Sequence, residues 1–210
     1  MTASIDREEW NRRYAGRELL WTARPNRFLV AEAGDLRPGR VLDLACGEGR
    51  NAVWLAEQGW QVTGVDFSDV ALDKARELAA SRGVRIDWAQ ADLLDYQPEQ
   101  RTYDLVLVFY LQVPAPERRQ ILRAAADAVA PGGTLLLVAH DSANLERGYA
   151  GPKDPAVLYT AADVAADLDG TGLEIERAGL VERPVDTPDG ERTALDALAR
   201  AHRSSARADA

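Results

Sequence analysis

From Arg40 to His140 the chain alternates between short apolar runs and longer stretches with a helical period. "RVLDL" predicts a buried strand. "GRNAVWLAEQG" predicts a helix with Val53, Trp54 and Ala56 on one side and Gly59 at its C-terminal end. "QVTGVDF" is β-branched and predicts the second strand. "SDVALDKARELAASRG" repeats its apolar positions every 3.6 residues, with Ser68 placed as N-cap and Gly83 as the stop. "VRIDWAQ" predicts a third strand. "YDLVLVFYL" is apolar almost throughout, as a strand covered on both faces must be. "APERRQILRAAADAVA" is the next helix, with Pro116 near its start; "PGG" at 131–133 predicts a turn and "TLLLVAH" a fifth strand.

Strand–helix–strand repeats dictate βαβ units, hence a mostly parallel sheet with helices on both faces. The alternation stops after His140. Residues 141–159 show no periodicity and hold Gly148, Gly151, Pro152 and Pro155, the mark of a functional loop. "TAADVAADLDG" then predicts a helix. "GLEIERAGLVERPV" and "ERTALDALARAH" predict two strands joined by "DTPDG", which makes a seven-stranded sheet with an antiparallel last strand. The fold class expected is α/β, doubly wound and Rossmann-like.

The first forty residues lie outside this alternation. Two short helices are expected, Asp6–Ala15 and Asn26–Ala33. Trp10, Tyr14 and Trp21 are large aromatics in a polar neighbourhood; they either staple these helices to the sheet or cover a pocket. The expected organisation is a helical cap at 1–39, the main domain at 40–203 with 141–159 as a substrate-side loop, and a frayed tail at 204–210.

Composition narrows the classes. A hydrophobic content of 46% over 210 residues suits one globular fold with a core. A net charge of −9, with no basic run, argues against a nucleic-acid partner, whose phosphates need clustered Lys and Arg. One cysteine permits no intrachain disulfide. The charged N-terminus has no signal-peptide core, and no window reaches the roughly 20 apolar residues of a membrane span. A cytoplasmic protein without a membrane partner, monomeric or homodimeric, is expected.

The chemistry begins in "VLDLACGEGRNAVWLA". A turn after a central strand of an α/β sheet faces the crevice where ligands bind. Gly47 and Gly49 let backbone approach a ligand, and the following helix offers free N–H groups. A nicotinamide dinucleotide uses the same architecture, but its G-x-G-x-x-G fingerprint is incomplete here. Asp43, just ahead of the turn, would repel a pyrophosphate and favour a cation. Asp66 closes the second strand and suits a ribose diol or a helix cap. Asp92 follows the third strand and suits an adenine amine or a loop turn. A cation, a ribose and an adenine describe S-adenosylmethionine.

With "VLDLACGEG", "GVDFS", "QADLLD", "YDLVLVFYL" and "PGG" in order, the stretch from Arg40 to His140 resembles class I S-adenosylmethionine-dependent methyltransferases. "CGEGRNAVWLAEQGWQVTGVDFS" behind a short helical segment is similar to tellurite-resistance and thiopurine-methyltransferase-like enzymes, which act on small molecules and soft nucleophiles. The usual opening glycine of the first motif is Ala45 here. The resemblance implies that Asp43 lies near the methionine ammonium and that Ala45, Gly47, Gly49 and Arg50 line the methionine part. It implies that Asp66 holds the ribose with Phe67 against the adenine and Ser68 beside them, that Asp92 and Leu93 meet the adenine, and that Phe109 and Tyr110 lie near the sulfonium. No metal is implied.

The acceptor side is set outside these motifs. His140 ends the fifth strand and is a candidate base or substrate-positioning donor, or simply a strand-end histidine bonded to its loop; Asp141 beside it either orients it or begins the loop. His140 and Tyr110 are the catalytic candidates. Trp10, Tyr14, Trp21, His140, Tyr149 and Tyr159 are the substrate-side candidates, enclosing a small, partly apolar methyl acceptor. Cys46 reads as a small filler, and His202 as surface. The alternatives are a non-methylating S-adenosylmethionine binder, such as a regulator or cyclase, and a nicotinamide-dependent oxidoreductase.

Overall fold

The computed structural model describes residues 7–16, 18–20 and 22–205. Trp21, Asp6 and 206–210 lie outside the described residues, so the expectations placed on them have no structural counterpart here. The strands are β1 (Arg40–Leu44), β2 (Gln61–Asp66), β3 (Asp87–Gln90), β4 (Tyr103–Phe109), β5 (Val129–His140), β6 (Glu174–Thr187) and β7 (Gly190–His202). They form one sheet in the order β3-β2-β1-β4-β5-β7-β6. The first five are parallel, and β7 runs antiparallel between β5 and β6. The fold is the α/β, doubly wound, seven-stranded sheet that the alternation predicts.

Strand order reverses between β1 and β4, so their carboxyl ends open a crevice. Apolar side chains of the central strands split between two faces. Leu42, Val106, Val108, Leu135 and Leu137 pack under α5 (Ala115–Ala128) and α7 (Ala161–Leu168). Val41, Leu105, Leu107, Leu136 and Val138 pack under α2 (Arg27–Ala33) and α3 (Arg50–Glu57). Each such leucine, fully buried, contributes about 1.5–3 kcal/mol over leaving it exposed. α2 belongs to this core: Leu29 and Ala33 are buried against it. The remaining helices are α1 (Arg7–Tyr14), α4 (Asp69–Ser81) and the four-residue α6 (Asn144–Arg147), which with a 3-10 turn at Pro155–Val157 gives the 141–159 stretch more order than its sequence predicts.

Two termini form as their sequences dictate. Ser68 Oγ accepts the Ala71 N–H at 3.0 Å and starts α4. Thr160 and Asp163 make a reciprocal capping box that starts α7. The expected "PGG" turn differs: Pro131, Gly132 and Gly133 lie inside β5. Tyr103 pairs with Val129 and Leu105 with Thr134, so the ladder shifts register there as a bulge. Pro131 has no N–H to donate to a ladder, Gly132 adopts φ +81°, and a Cβ at Gly133 would stand 2.8 Å from the Tyr103 carbonyl oxygen.

Candidate active site

The turn after β1 carries Ala45, Gly47 and Gly49 at φ +57°, +53° and +78°. The two glycines differ in what surrounds them. A Cβ on Gly49 would meet Trp88 Cη2 at 2.8 Å and Ala75 Cβ at 2.9 Å. Its bareness makes room for the indole and for α4. A Cβ on Gly47 would meet only the Tyr14 hydroxyl, at 3.1 Å. Cys46 directly precedes Gly47, its Sγ 3.2 Å from the place of a Gly64 Cβ. Burial, and then the charges of Asp66 and Asp43, push its thiol well above the ordinary range. It is a filler and no nucleophile.

The three acids are placed differently. Asp43 is buried, and its Oδ2 has no hydrogen-bond partner among the described residues. Burial, with the charge of Asp66, lifts its carboxyl to about 7, against Arg50 and the Ala52 N–H. A buried carboxylate oxygen without a partner at the rim of a glycine turn accepts a ligand's cationic nitrogen and disfavours a diphosphate. Asp66 Oδ2 accepts the Gly47 N–H at 2.8 Å and Oδ1 the Ser68 N–H at 2.9 Å. Each oxygen keeps a lone pair, the number a diol needs. Burial pushes its carboxyl up, against these backbone donors. Asp92 is exposed, and its Oδ1 caps the turn after β3 through the Leu94 N–H at 2.9 Å. Phe67 and Leu93 are half-buried beside these acids in the chain.

The N-terminal segment is tied down over the turn. Trp10 and Tyr14 stack with centroids 5.5 Å apart. Asn11 accepts from Ser68 Oγ at 2.6 Å and donates to Asp69 at 2.7 Å, which docks α1 on α4. Glu48, buried in the glycine turn, accepts the Leu20 N–H at 2.9 Å and pairs with Lys74 at 3.0 Å. The Asn26 N–H donates to Asn51 Oδ1 at 2.9 Å, joining α2 to the start of α3. Arg50, half-buried, makes no hydrogen bond or ion pair among the described residues. Burial holds its guanidinium below the ordinary value, the charges of Tyr110, Asp43 and Tyr14 opposing.

On the far side of the crevice stands a cluster that sequence reasoning found only in part. Tyr110, at φ +53°, donates its hydroxyl proton to Asp196 Oδ2 at 2.9 Å and accepts from Asn26 Nδ2 at 3.3 Å. That hydroxyl is committed within the fold; burial and the charge of Asp196 push it further up from the phenol range. His140 lies beside it, ring centroids 5.0 Å apart. Asp196 and Arg183 were not singled out. Asp196 is fully buried and pairs with Arg183 Nε at 2.7 Å. Its signal was available: an acid within the apolar "ALDALA". Asp141 Oδ1 accepts the Ala143 N–H at 2.8 Å, closing the turn that begins the loop ahead of α6, instead of orienting His140.

Three expected residues lie elsewhere. Phe109 is buried in the core beneath α2. Tyr159 is buried in the opposite core, donating to the Leu111 carbonyl at 2.7 Å under the Arg118 guanidinium. Its periodicity-free neighbourhood suggested a lid, but a ring this enclosed cannot line a crevice. Tyr149 is exposed and its N–H pairs with the Thr193 carbonyl at 2.9 Å, next to the β6–β7 turn. Among the described residues no group of three or more His, Cys, Asp or Glu is placed to hold a metal, and no helix is long and apolar enough to cross a membrane.

Residues 41–133 match the family model of a methyltransferase domain. The chain is 37% identical over 112 residues to the ribosomal RNA small subunit methyltransferase C of Alcanivorax borkumensis, covering 50% of this chain and 33% of that one. It is 32% identical over 107 residues to the ubiquinone biosynthesis O-methyltransferase of Yersinia pestis, covering 50% of this chain and 44% of that one. The chain thus spans less than half of the length of these relatives. A solved structure concerned with conversion of a disulfide bond into a thioacetal group during echinomycin biosynthesis superposes with a TM-score of 0.73 at 24% identity, over 96% of this chain and 93% of that one. The last of these speaks to fold alone. One of these relatives is named for ribosomal RNA, whereas this chain carries a net charge of −9 and no basic run.

Proposed function

We propose that this chain, whose residues 41–133 match a methyltransferase domain, is an S-adenosylmethionine-dependent methyltransferase acting on a small-molecule acceptor. The carrying observation is Asp43: a buried carboxylate oxygen without a partner, at the glycine turn of a switch-point crevice, is a receptor for an ammonium. The residues fit the cofactor. Asp43 takes the amino group, the free lone pairs of Asp66 take the ribose hydroxyls, and Gly47 leaves room beside Tyr14. Phe67 and Leu93 supply apolar surface to the adenine and Asp92 an outer oxygen to its amine. When bound, the cofactor supplies a methyl group on a sulfonium that needs no further activation.

What remains to the protein is alignment and exclusion of water. Tyr14 over Gly47, and the Glu48 clamp on residues 18–20, close the cofactor side. His140 and Tyr110 face the acceptor side. A small acceptor is supported by this helical cap over the turn and by the absence of a basic run. The finer placement near tellurite-resistance and thiopurine-methyltransferase-like enzymes rests on the run from Cys46 to Ser68, and a cytoplasmic location on the single cysteine of the sequence.

Calorimetric titration tests the reading. S-adenosylhomocysteine is expected to bind and NAD to leave the protein unchanged; binding of NAD alone overturns it. Transfer of label from methyl-labelled cofactor to a panel of thiols, phenols and amines then tests turnover. Cofactor binding with no transfer to any acceptor supports a non-methylating binder instead.

A further inference from the structure

His140 and Asp196 are direct partners across β5 and β7. Nδ1 of His140 lies 3.3 Å from Asp196 Oδ1 and is buried, without a well-aligned hydrogen bond among the described residues. The surroundings of this nitrogen decide its state. Asp196, fully buried, already accepts from Tyr110 on Oδ2 and from Arg183 on both oxygens, at 2.7 and 3.4 Å. Burial raises the Asp196 carboxyl, but His140, Arg183 and Tyr110 outweigh it and hold it ionised. An imidazole lone pair facing an ionised carboxylate is repelled; an N–H facing it is attracted. Asn144 Nδ2, which like His140 Nδ1 lies close to Gly151, donates to the Ala150 carbonyl at 2.8 Å.

We propose that Asp196 is a positioning residue that fixes the proton of His140 on Nδ1 and leaves Nε2 as the base for an acceptor whose nucleophile is a hydroxyl. This rests on the methyltransferase reading for its chemistry, though not for its geometry. The acceptor O–H passes its proton to Nε2 while its oxygen forms the bond to the methyl carbon. The pair of electrons of the breaking carbon–sulfur bond stays with sulfur. The positive charge that began on the sulfonium ends on the imidazolium, beside the Asp196 carboxylate. A thiol, which ionises unaided, draws no benefit from the pair.

The rest of the cluster is built to keep the pair in register. Arg183 from β6 stands 5.6 Å over the Tyr110 ring and neutralises Asp196 through contacts to both of its oxygens. Tyr110 holds the second carboxylate oxygen from the end of β4, and Asn26 from α2 holds Tyr110. Arg50 from α3 acts on Tyr110 and Arg183 through charge. From the loop side, Gly151 adopts φ +81°, and a Cβ there would stand 3.0 Å from His140 Nδ1. The loop therefore closes on the buried edge of the ring and leaves the other edge for a substrate.

The chain has two histidines. In a His202→Gln background, nitrogen NMR of the imidazole reports His140 alone, with no acceptor required. Expected is the Nδ1–H tautomer in the parent and its loss in Asp196→Asn. Tyr110→Phe, which spares the pair, is expected to retain it. An Nε2–H tautomer in the parent, or an Asp196→Asn spectrum identical to it, overturns the proposal. Should Asp196→Asn fail to fold, the parent spectrum and Tyr110→Phe still decide. Where label transfer is found, Asp196→Asn is expected to slow transfer to a phenol about 100-fold and to leave transfer to a thiol unchanged; equal loss with both overturns the assignment to a hydroxyl. Absence of transfer to every acceptor bears on the methyltransferase reading and leaves the tautomer result standing.

Discussion

The backbone N–H of Gly47 donates to Asp66 Oδ2 at 2.8 Å, so the turn after β1 and the tip of β2 are held by one carboxylate. Asp66 is at once an architectural acceptor for Gly47 and Ser68 and the candidate ribose group. Asp66→Ala is expected to weaken S-adenosylhomocysteine binding by about 1–3 kcal/mol and to lower unfolding stability by a similar amount, since two buried donors lose their acceptor. Calorimetry and thermal unfolding read the two effects separately. An unchanged affinity with a lowered melting temperature would remove the ribose role and keep the structural one.

Gly47 and Gly49 are expected to separate by phenotype. Gly49→Ala drives a Cβ against Trp88 and Ala75 and costs about 1–3 kcal/mol of stability through overpacking. Gly47→Ala meets a single flexible contact, the Tyr14 hydroxyl, and is expected to fold with a smaller loss while impairing cofactor binding. Thermal melts and titrations of both variants check this. A Gly47→Ala protein that binds normally refutes close approach at that residue.

Asp43 makes binding and stability depend on pH. Its carboxyl lies near 7 in the fold, against 3.8 as an ordinary value. The folded form therefore holds a proton that the unfolded form has released, and stability falls as pH rises from about 4 to about 7. A ligand ammonium prefers the ionised carboxylate, so binding below about pH 7 is expected to release a proton to the buffer. Calorimetry at pH 6 in buffers of differing ionisation enthalpy detects it. Asp43→Asn is expected to abolish both the proton release and this part of the stability profile. Binding by the parent without proton release separates Asp43 from the ammonium.

Tyr159→Phe is expected to be a stability variant only. It removes the donor to the Leu111 carbonyl, leaving a buried acceptor unmade at a cost of about 1–3 kcal/mol. Denaturant unfolding reads this loss, with affinity for S-adenosylhomocysteine unchanged. A changed affinity at full stability returns Tyr159 to the crevice.

What the sequence made legible was local. Strand and helix followed from period and from Ser68 and Gly59 at element ends. Asp43 and Asp66 stood out because one interrupts an apolar run just ahead of the glycine turn and the other closes one. What escaped depends on contacts between distant segments. The task of Gly49 is set by Trp88, from another strand. Tyr159 reads the same in a lid or in a core until Arg118 and Leu111 are placed around it. Asp196 sat in plain view, but its meaning comes from a pairing with His140 that only the register of β7 on β5 creates.

β7, whose residues follow every other strand in the chain, is inserted between β5 and β6. Until it arrives, β5 is a bare edge offering Leu135, Leu136, Leu137 and Val138 to any passing strand. A nascent chain emerging from a ribosome therefore carries a sticky, half-closed sheet until β7 slots in. The same event brings the carboxylate to His140, so chains stalled before it combine a vulnerability to self-association with a histidine that has no carboxylate beside it.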